Sequence, residues 1–164
     1  MLRKIIGLFI LLFSIQAFAT TEKQAQEIDS FMHSFIQTFE ARDLEVLGSY
    51  YHPDATIVGT GQDEVLQGRD NIMKAFERDM DQHTTMHIEY KRIGVDVKKH
   101  TAFAAYALKV FAGLPNQKQV AEYDLRFTLG LVKYHHAWHI MQSHLSAPLA
   151  GQAAGQSYPT SNNG

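Results

Sequence analysis

From Val120 to Val132 the chain alternates apolar and polar side chains with a period of two. Tyr123, Leu125, Phe127, Leu129 and Leu131 point one way, and Glu122, Asp124, Arg126 and Thr128 the other. Only an extended strand sends every second side chain to one face, so this run demands a sheet packed on one side and wetter on the other. The surrounding texture is similar. We read strands over 85–97, 101–112, 118–133 and 136–146, joined by Lys98-Lys99-His100, Gly113-Leu114-Pro115-Asn116 and Lys133-Tyr134-His135.

Four long strands need a cover, and the first half of the chain supplies it. Ile28, Phe31, Met32, Phe35, Ile36 and Phe39 recur at helical spacing on one face of about five turns. Asp43 is placed to cap a second, shorter helix carrying Leu44, Leu47 and Tyr51, which His52-Pro53-Asp54 should end. Ala55 to Val58 reads as a short strand, Gly59 to Asp63 as a turn, and Glu64-Val65-Leu66 as a return strand. Gly68-Arg69-Asp70 leads into a third helix with Ile72, Met73, Phe76 and Met80 on one side. Helices followed by strands predict a segregated α+β fold. The expected shape is a cone: a strongly curved antiparallel sheet wrapped around the long N-terminal helix, with its open end as a pocket.

The two ends read differently. Arg3 and Lys4 precede the apolar run Ile5 to Ile15, and Ala17-Phe18-Ala19 follows with small residues where a signal peptidase reads them. A bilayer span needs roughly 20 apolar residues, more than this run has. The expectation is a signal peptide over 1–19 cut after Ala19, a domain over 20–148, and a periplasmic or secreted product without a stable membrane anchor. Residues 149–164 are Ala, Gly, Gln, Ser, Pro and Asn for the most part, and predict a disordered tail.

Without Arg3 and Lys4, 13 basic residues face 17 acidic ones, and none of the basic residues cluster as a nucleic-acid surface requires. There is no cysteine, so an exported chain of this kind has to be held by its core rather than by disulfides. The nine histidines include no His-x-His pair, and adjacent His135 and His136 would diverge on a strand, so no metal is expected. Phosphate-loop, Rossmann and nucleophile-elbow signatures are absent, and no cofactor is expected.

One set of motifs goes further. His52-Pro53-Asp54-Ala55-Thr56-Ile57, then Gly59-Thr60-Gly61-x-Asp63-Glu64 and Gly68-Arg69-Asp70-x-Ile72, resembles the SnoaL-like proteins of the nuclear transport factor 2-like superfamily. Arg126-x-Thr128, Trp138-x-Ile140, His144-x-Ser146 and Pro148 extend the resemblance over about Gln26 to Pro148. The subgroup that also resembles the association domain of a calmodulin-dependent kinase is the nearest in pattern. The resemblance implies the nuclear transport factor 2-like, or cystatin-like, cone. It does not imply one function, because the superfamily includes isomerases, hydrolases, cyclases, binding domains and oligomerisation modules. Alignment with its ketosteroid isomerases puts Gly59 where they hold an Asp base and Phe35 where they hold a Tyr donor. Neither residue can take a proton, and no position matches the His–Asp pair of the dehydratases.

His144 is the best catalytic candidate. Two-residue spacing puts it on one strand face with Trp138, Ile140 and Gln142. Either that face looks into the cone, where His144 and Gln142 meet a ligand beside the Trp138 wall, or His144 is a structural histidine. Arg126 either binds a ligand carboxylate in the pocket or lies outside, paired with Asp124 or Glu122 or buried in a dimer interface. Glu64 either fixes its loop, through Arg69 or backbone groups, or rims the cone mouth. Of Tyr50 and Tyr51, Tyr51 is favoured to put its hydroxyl into the cavity. These residues fit a small, partly apolar organic ligand, with cofactor-free isomerase- or hydrolase-type turnover as a further step. The rival expectation is a non-catalytic homodimer or protein-interaction module.

Overall fold

The computed structural model describes residues 22–148, so the expected signal peptide and polar tail lie outside the described residues. The first helix, α1, covers residues 22–40. Its predicted apolar face is the buried one: Ile28, Met32, Phe35 and Ile36 are sealed in the core. Arg42 turns the chain with a positive φ of 59°. Asp43 then caps α2 (Leu44–Ser49), its side chain accepting a hydrogen bond of 3.0 Å from the Val46 N–H.

Here the structure departs from expectation. Tyr51 and His52-Pro53-Asp54 do not close the short helix; they open strand β1 (Tyr51–Val58). Pro53 is tolerated because its stretch of β1 is irregular. The register with β6 (Ala137–Ser146) slips between Tyr51 and Thr56, and β2 (Val65–Gln67) pairs only with Thr56 to Val58. No ladder there needs the amide hydrogen that proline lacks. Helix α3 (Arg69–Asp81) follows as predicted, burying Ile72, Ala75 and Met80. The remaining strands are β3 (Thr85–Lys98), β4 (Thr101–Gly113) and β5 (Val120–Tyr134). With β6 they match the predicted segments to within two residues.

The six strands form one sheet in the order β2-β1-β6-β5-β4-β3. All neighbours are antiparallel except β1 and β6. Register shifts in β1, in β3 near Ile93 and in β6 at Met141 bend the sheet, as an extra residue in one strand does. Its concave face receives α1. On β4 that face reads Ala102, Ala104, Tyr106, Leu108 and Val110, with small residues at one end and larger ones beyond. Phe35 of α1 stacks on Phe127 of β5 at 6.1 Å between centroids. Asp29 of α1 accepts a hydrogen bond of 3.1 Å from the Tyr106 hydroxyl and pairs with Arg92 of β3 at 2.7 Å. Burying a large apolar side chain such as Ile28, Leu131 or Ile140 stabilises the fold by about 1.5–3 kcal/mol each. Among the described residues no helix is long and apolar enough to cross a membrane.

Candidate functional site

A cavity of about 400 Å³ opens where the sheet curls away from α1. Its walls are aromatic and aliphatic. Phe39 meets Phe76 of α3 edge-on at 5.4 Å, Tyr51 meets Phe76 at 5.9 Å, and Leu108 and Val110 continue the surface along β4. Such walls hold an organic molecule by excluding water; the few polar groups among them decide its orientation.

Two of those groups are hydroxyls in the wall. Tyr51 and Ser143 are both 1% exposed. Ser143 Oγ has the Tyr51 hydroxyl as its polar neighbour but makes no hydrogen bond of normal geometry among the described residues, and the residue lines the cavity. Burial pushes the Tyr51 phenol far above its ordinary range, and the neighbouring Ser143 hydroxyl offsets only part of this. Tyr51 is therefore a neutral hydroxyl at physiological pH.

The other polar groups come from the β1–β2 turn and the end of α3. The Gly59 N–H donates to the Glu64 carbonyl at 2.9 Å, closing the turn. Glu64 Oε2 accepts from the Gly61 N–H, also at 2.9 Å. A side chain on Gly59 would collide with this carboxylate, so Glu64 occupies the space that residue 59 leaves empty on the inner side of β1. At the end of α3, Arg78 grips the Asp79 carboxylate at 2.7 Å. His83 Nδ1 lies 2.8 Å from the Asp79 carbonyl. A carbonyl only accepts, so Nδ1 carries the proton and Nε2 is the acceptor of the neutral ring. Asp79 and His83 thus share the cavity lining without forming a histidine–carboxylate pair.

The sequence-predicted residues divide cleanly. Tyr51 and Glu64 line the cavity. Glu64 fixes its turn through the Gly61 backbone, and it makes no ion pair with Arg69. Tyr50 turns elsewhere, its hydroxyl 3.4 Å from Thr38 Oγ1. Gly59 and Phe35, the positions singled out by the isomerase comparison, both line the cavity.

His144, Gln142, Trp138 and Arg126 do not line it. The expectation that Trp138, Ile140, Gln142 and His144 share one face fails at Met141. Ile140 pairs with Leu131 and Gln142 with Gly130, so Met141 is an extra residue without an opposite partner. The bulge reverses the alternation. Ile140 is buried before it and Ser143 after it, while Gln142 and His144 are exposed on the outer face. Trp138 precedes the bulge but sits at the far end of the strand, under Lys133, whose Nζ lies 4.8 Å from the ring centre. Arg126 is on the exposed face, opposite Ala107 and Ser146. The acids expected to pair with it, Glu122 and Asp124, pair with Lys109 instead. An Arg126–carboxylate contact inside the cone is ruled out by this facing.

Ser143, Asp79 and His83 were missed. Asp79 was legible, because it lies three residues after Phe76 and seven after Ile72 on the inward face of α3. Ser143 was not, because nothing in the residues around Met141 announces a bulge.

No curated protein matches this sequence significantly. Solved structures do. A protein provisionally described as a scytalone dehydratase, from Novosphingobium aromaticivorans, superposes with a TM-score of 0.71 at 13% identity, over 77% of this chain and 85% of its own. A provisionally described dehydratase of the nuclear transport factor 2-like family, from Streptomyces avermitilis, gives 0.71 at 18% identity, over 79% and 99%. A provisionally described calcium/calmodulin-dependent protein kinase II association domain, from Xanthomonas campestris, gives 0.62 at 19% identity, over 77% and 90%. At these identities the likeness establishes the cone and nothing finer. The SnoaL-like domain profile matches residues 28–150, nearly the whole span from α1 to the end of β6. The chain therefore belongs to the SnoaL-like domain family.

Proposed function

We propose that this is an exported SnoaL-like protein that binds a small, partly apolar organic ligand in its cone. The observation that carries the reading is Ser143. A hydroxyl buried without a well-formed hydrogen bond is unfavourable by about 1–3 kcal/mol, and here such a group belongs to a residue in the lining of an aromatic-walled cavity. A ligand oxygen or nitrogen bonding to Ser143, with Tyr51 beside it, would remove that cost. Cofactor-free turnover is open to the same site. Glu64 and His83 Nε2 are proton acceptors and Tyr51 a neutral donor, all in one lining. The dehydratase descriptions of two similar structures point the same way by analogy of fold. A thermal-shift screen of small aromatic alcohols and ketones tests the binding. We expect stabilisation of the wild type that Ser143→Ala weakens about tenfold in affinity, the size of one hydrogen bond. Failure of the whole screen to shift the wild type would remove the reading.

Export follows from the leader, and we propose a periplasmic or secreted location with cleavage after Ala19. The intact mass of protein recovered from its host would then start at Thr20; a mass including Met1 to Ala19 would contradict it.

A homodimer through the outer face of the sheet is favoured by a separate observation. Phe103 and Ile93 are each 64% exposed and flank a groove floored by Ala105, Thr128, Gly130 and Gln142. A projecting ring beside a groove on the same face offers the self-complementary surface that a two-fold contact between copies uses. Arg126, on this same face, would lie in or near that contact. Light scattering should give twice the monomer mass, and Phe103→Asp should give the monomer. A strict monomer at all concentrations would sink the dimer while leaving the cavity untouched.

A further inference from the structure

Charge separates the candidate ligands. No lysine or arginine lines the cone. Two carboxylates do, and they are not equivalent. Asp79 is neutralised by the Arg78 guanidinium at 2.7–2.8 Å. The Glu64 carboxylate makes no ion pair among the described residues; the one hydrogen bond it accepts is from the Gly61 N–H. The cavity thus holds one uncompensated negative charge, at the place where a side chain of residue 59 would stand.

The position of that charge relative to Ser143 follows from the strand register. Ser143 lies beside Ile57 in the β1–β6 ladder. Gly59, under the Glu64 carboxylate, follows two residues after Ile57, just past the end of β1. Ile57 and Gly59 both line the cavity, as do Glu64 and Ser143, so the carboxylate and the hydroxyl belong to one lining.

Granted the ligand-filled cone proposed above, we propose that its ligand carries a protonated amine that pairs with Glu64. A ligand carboxylate or phosphate would bring like charge against Glu64 with no cation nearby to offset it. A neutral ligand would bury the carboxylate with a single N–H to satisfy it, which is unfavourable for a charge removed from water. An ammonium forms a charge-assisted hydrogen bond with the carboxylate and is attracted to the faces of the aromatic rings that wall the cone. The apolar remainder of the ligand then lies against Phe35, Phe76 and Phe127, and a hydrogen-bonding group elsewhere on the ligand reaches Ser143.

Three probes that share one naphthalene body test this: 1-naphthylmethylamine, 1-naphthylmethanol and 1-naphthoate. Their dissociation constants are measured by calorimetry on the mature wild type and on Glu64→Gln. The variant keeps an oxygen acceptor for the Gly61 N–H and loses only the charge. The amine should bind about tenfold more tightly than the alcohol, the naphthoate should not bind measurably, and Glu64→Gln should equalise amine and alcohol. Alcohol binding without any amine preference would overturn the amine assignment and leave the cavity reading standing. So would an amine preference that survives in Glu64→Gln, or naphthoate binding as tight as the amine. If no probe binds, the cavity reading itself fails and takes the amine with it.

Discussion

The carboxylate of Glu64 fills the volume that a side chain on Gly59 would need, so one residue's absence of a side chain places the other's charge in the cone. Gly59 is not in the left-handed region, so its value here is space rather than backbone freedom.

Gly59→Ala follows directly. The atoms in the way are the far end of a flexible side chain, so Glu64 should swing out and break its bond to the Gly61 N–H. Stability should fall by no more than about 1 kcal/mol, about 3 °C in melting temperature for a chain of this size. Discrimination between the naphthyl amine and alcohol should vanish as it does in Glu64→Gln. A Gly59→Ala protein that retains the full amine preference would show that the carboxylate does not need this space.

Ser143→Ala should behave unlike most core substitutions. Removing a buried hydroxyl that has no well-formed hydrogen bond relieves a desolvation cost, so the unliganded protein should melt at the same temperature or up to a few degrees higher. Affinity for alcohols and ketones should drop at the same time. A large loss of stability, with a fall in melting temperature beyond about 6 °C, would mean that Ser143 is a structural residue rather than a ligand contact.

Asp29→Ala should be costly. The carboxylate accepts from the Tyr106 hydroxyl at 3.1 Å and holds Arg92 at 2.7 Å, tying α1 to β4 and β3. Tyr106 is fully buried, so its hydroxyl would be stranded at a cost of about 2 kcal/mol. Adding Tyr106→Phe should restore part of the loss. A denaturation series on the two single variants and the double measures this coupling, and strictly additive losses would contradict it.

Alkaline pH should weaken the fold. Burial raises the phenols of Tyr51 and Tyr106 above their ordinary value near 10, and the charge of Asp29 raises Tyr106 further. A group whose native pKa is raised binds its proton more tightly when folded. The stabilisation is complete below about pH 10 and is lost as the pH climbs above it. Urea midpoints should therefore fall above pH 10, and less steeply in Tyr51→Phe. Equal slopes in the two proteins would show that Tyr51 does not contribute.

Much of the fold was written in local patterns. The α1 face from Ile28 to Phe39, the inward side of α3 and the four long strands were all legible, because each is a periodicity that one element satisfies by itself. Pro53 was misread because a proline ends a helix or sits in an irregular strand equally well. Only the missing β2 partner beside it decides which.

The site was less legible, and for one main reason. Sequence spacing alone put Trp138, Gln142 and His144 on one face, and a single unpaired residue, Met141, sent Gln142 and His144 outward and Ser143 inward. A bulge is a property of how two strands register, so neither strand encodes it alone. The same holds for Glu64, whose reach into the cone depends on the empty space over Gly59. By itself the sequence determined the elements, the one-sided sheet and the family pattern, because those follow from periods of two and 3.6 along one stretch of chain. Tertiary structure alone decided which polar groups face the cavity, because that depends on cross-strand register and on space left by other residues.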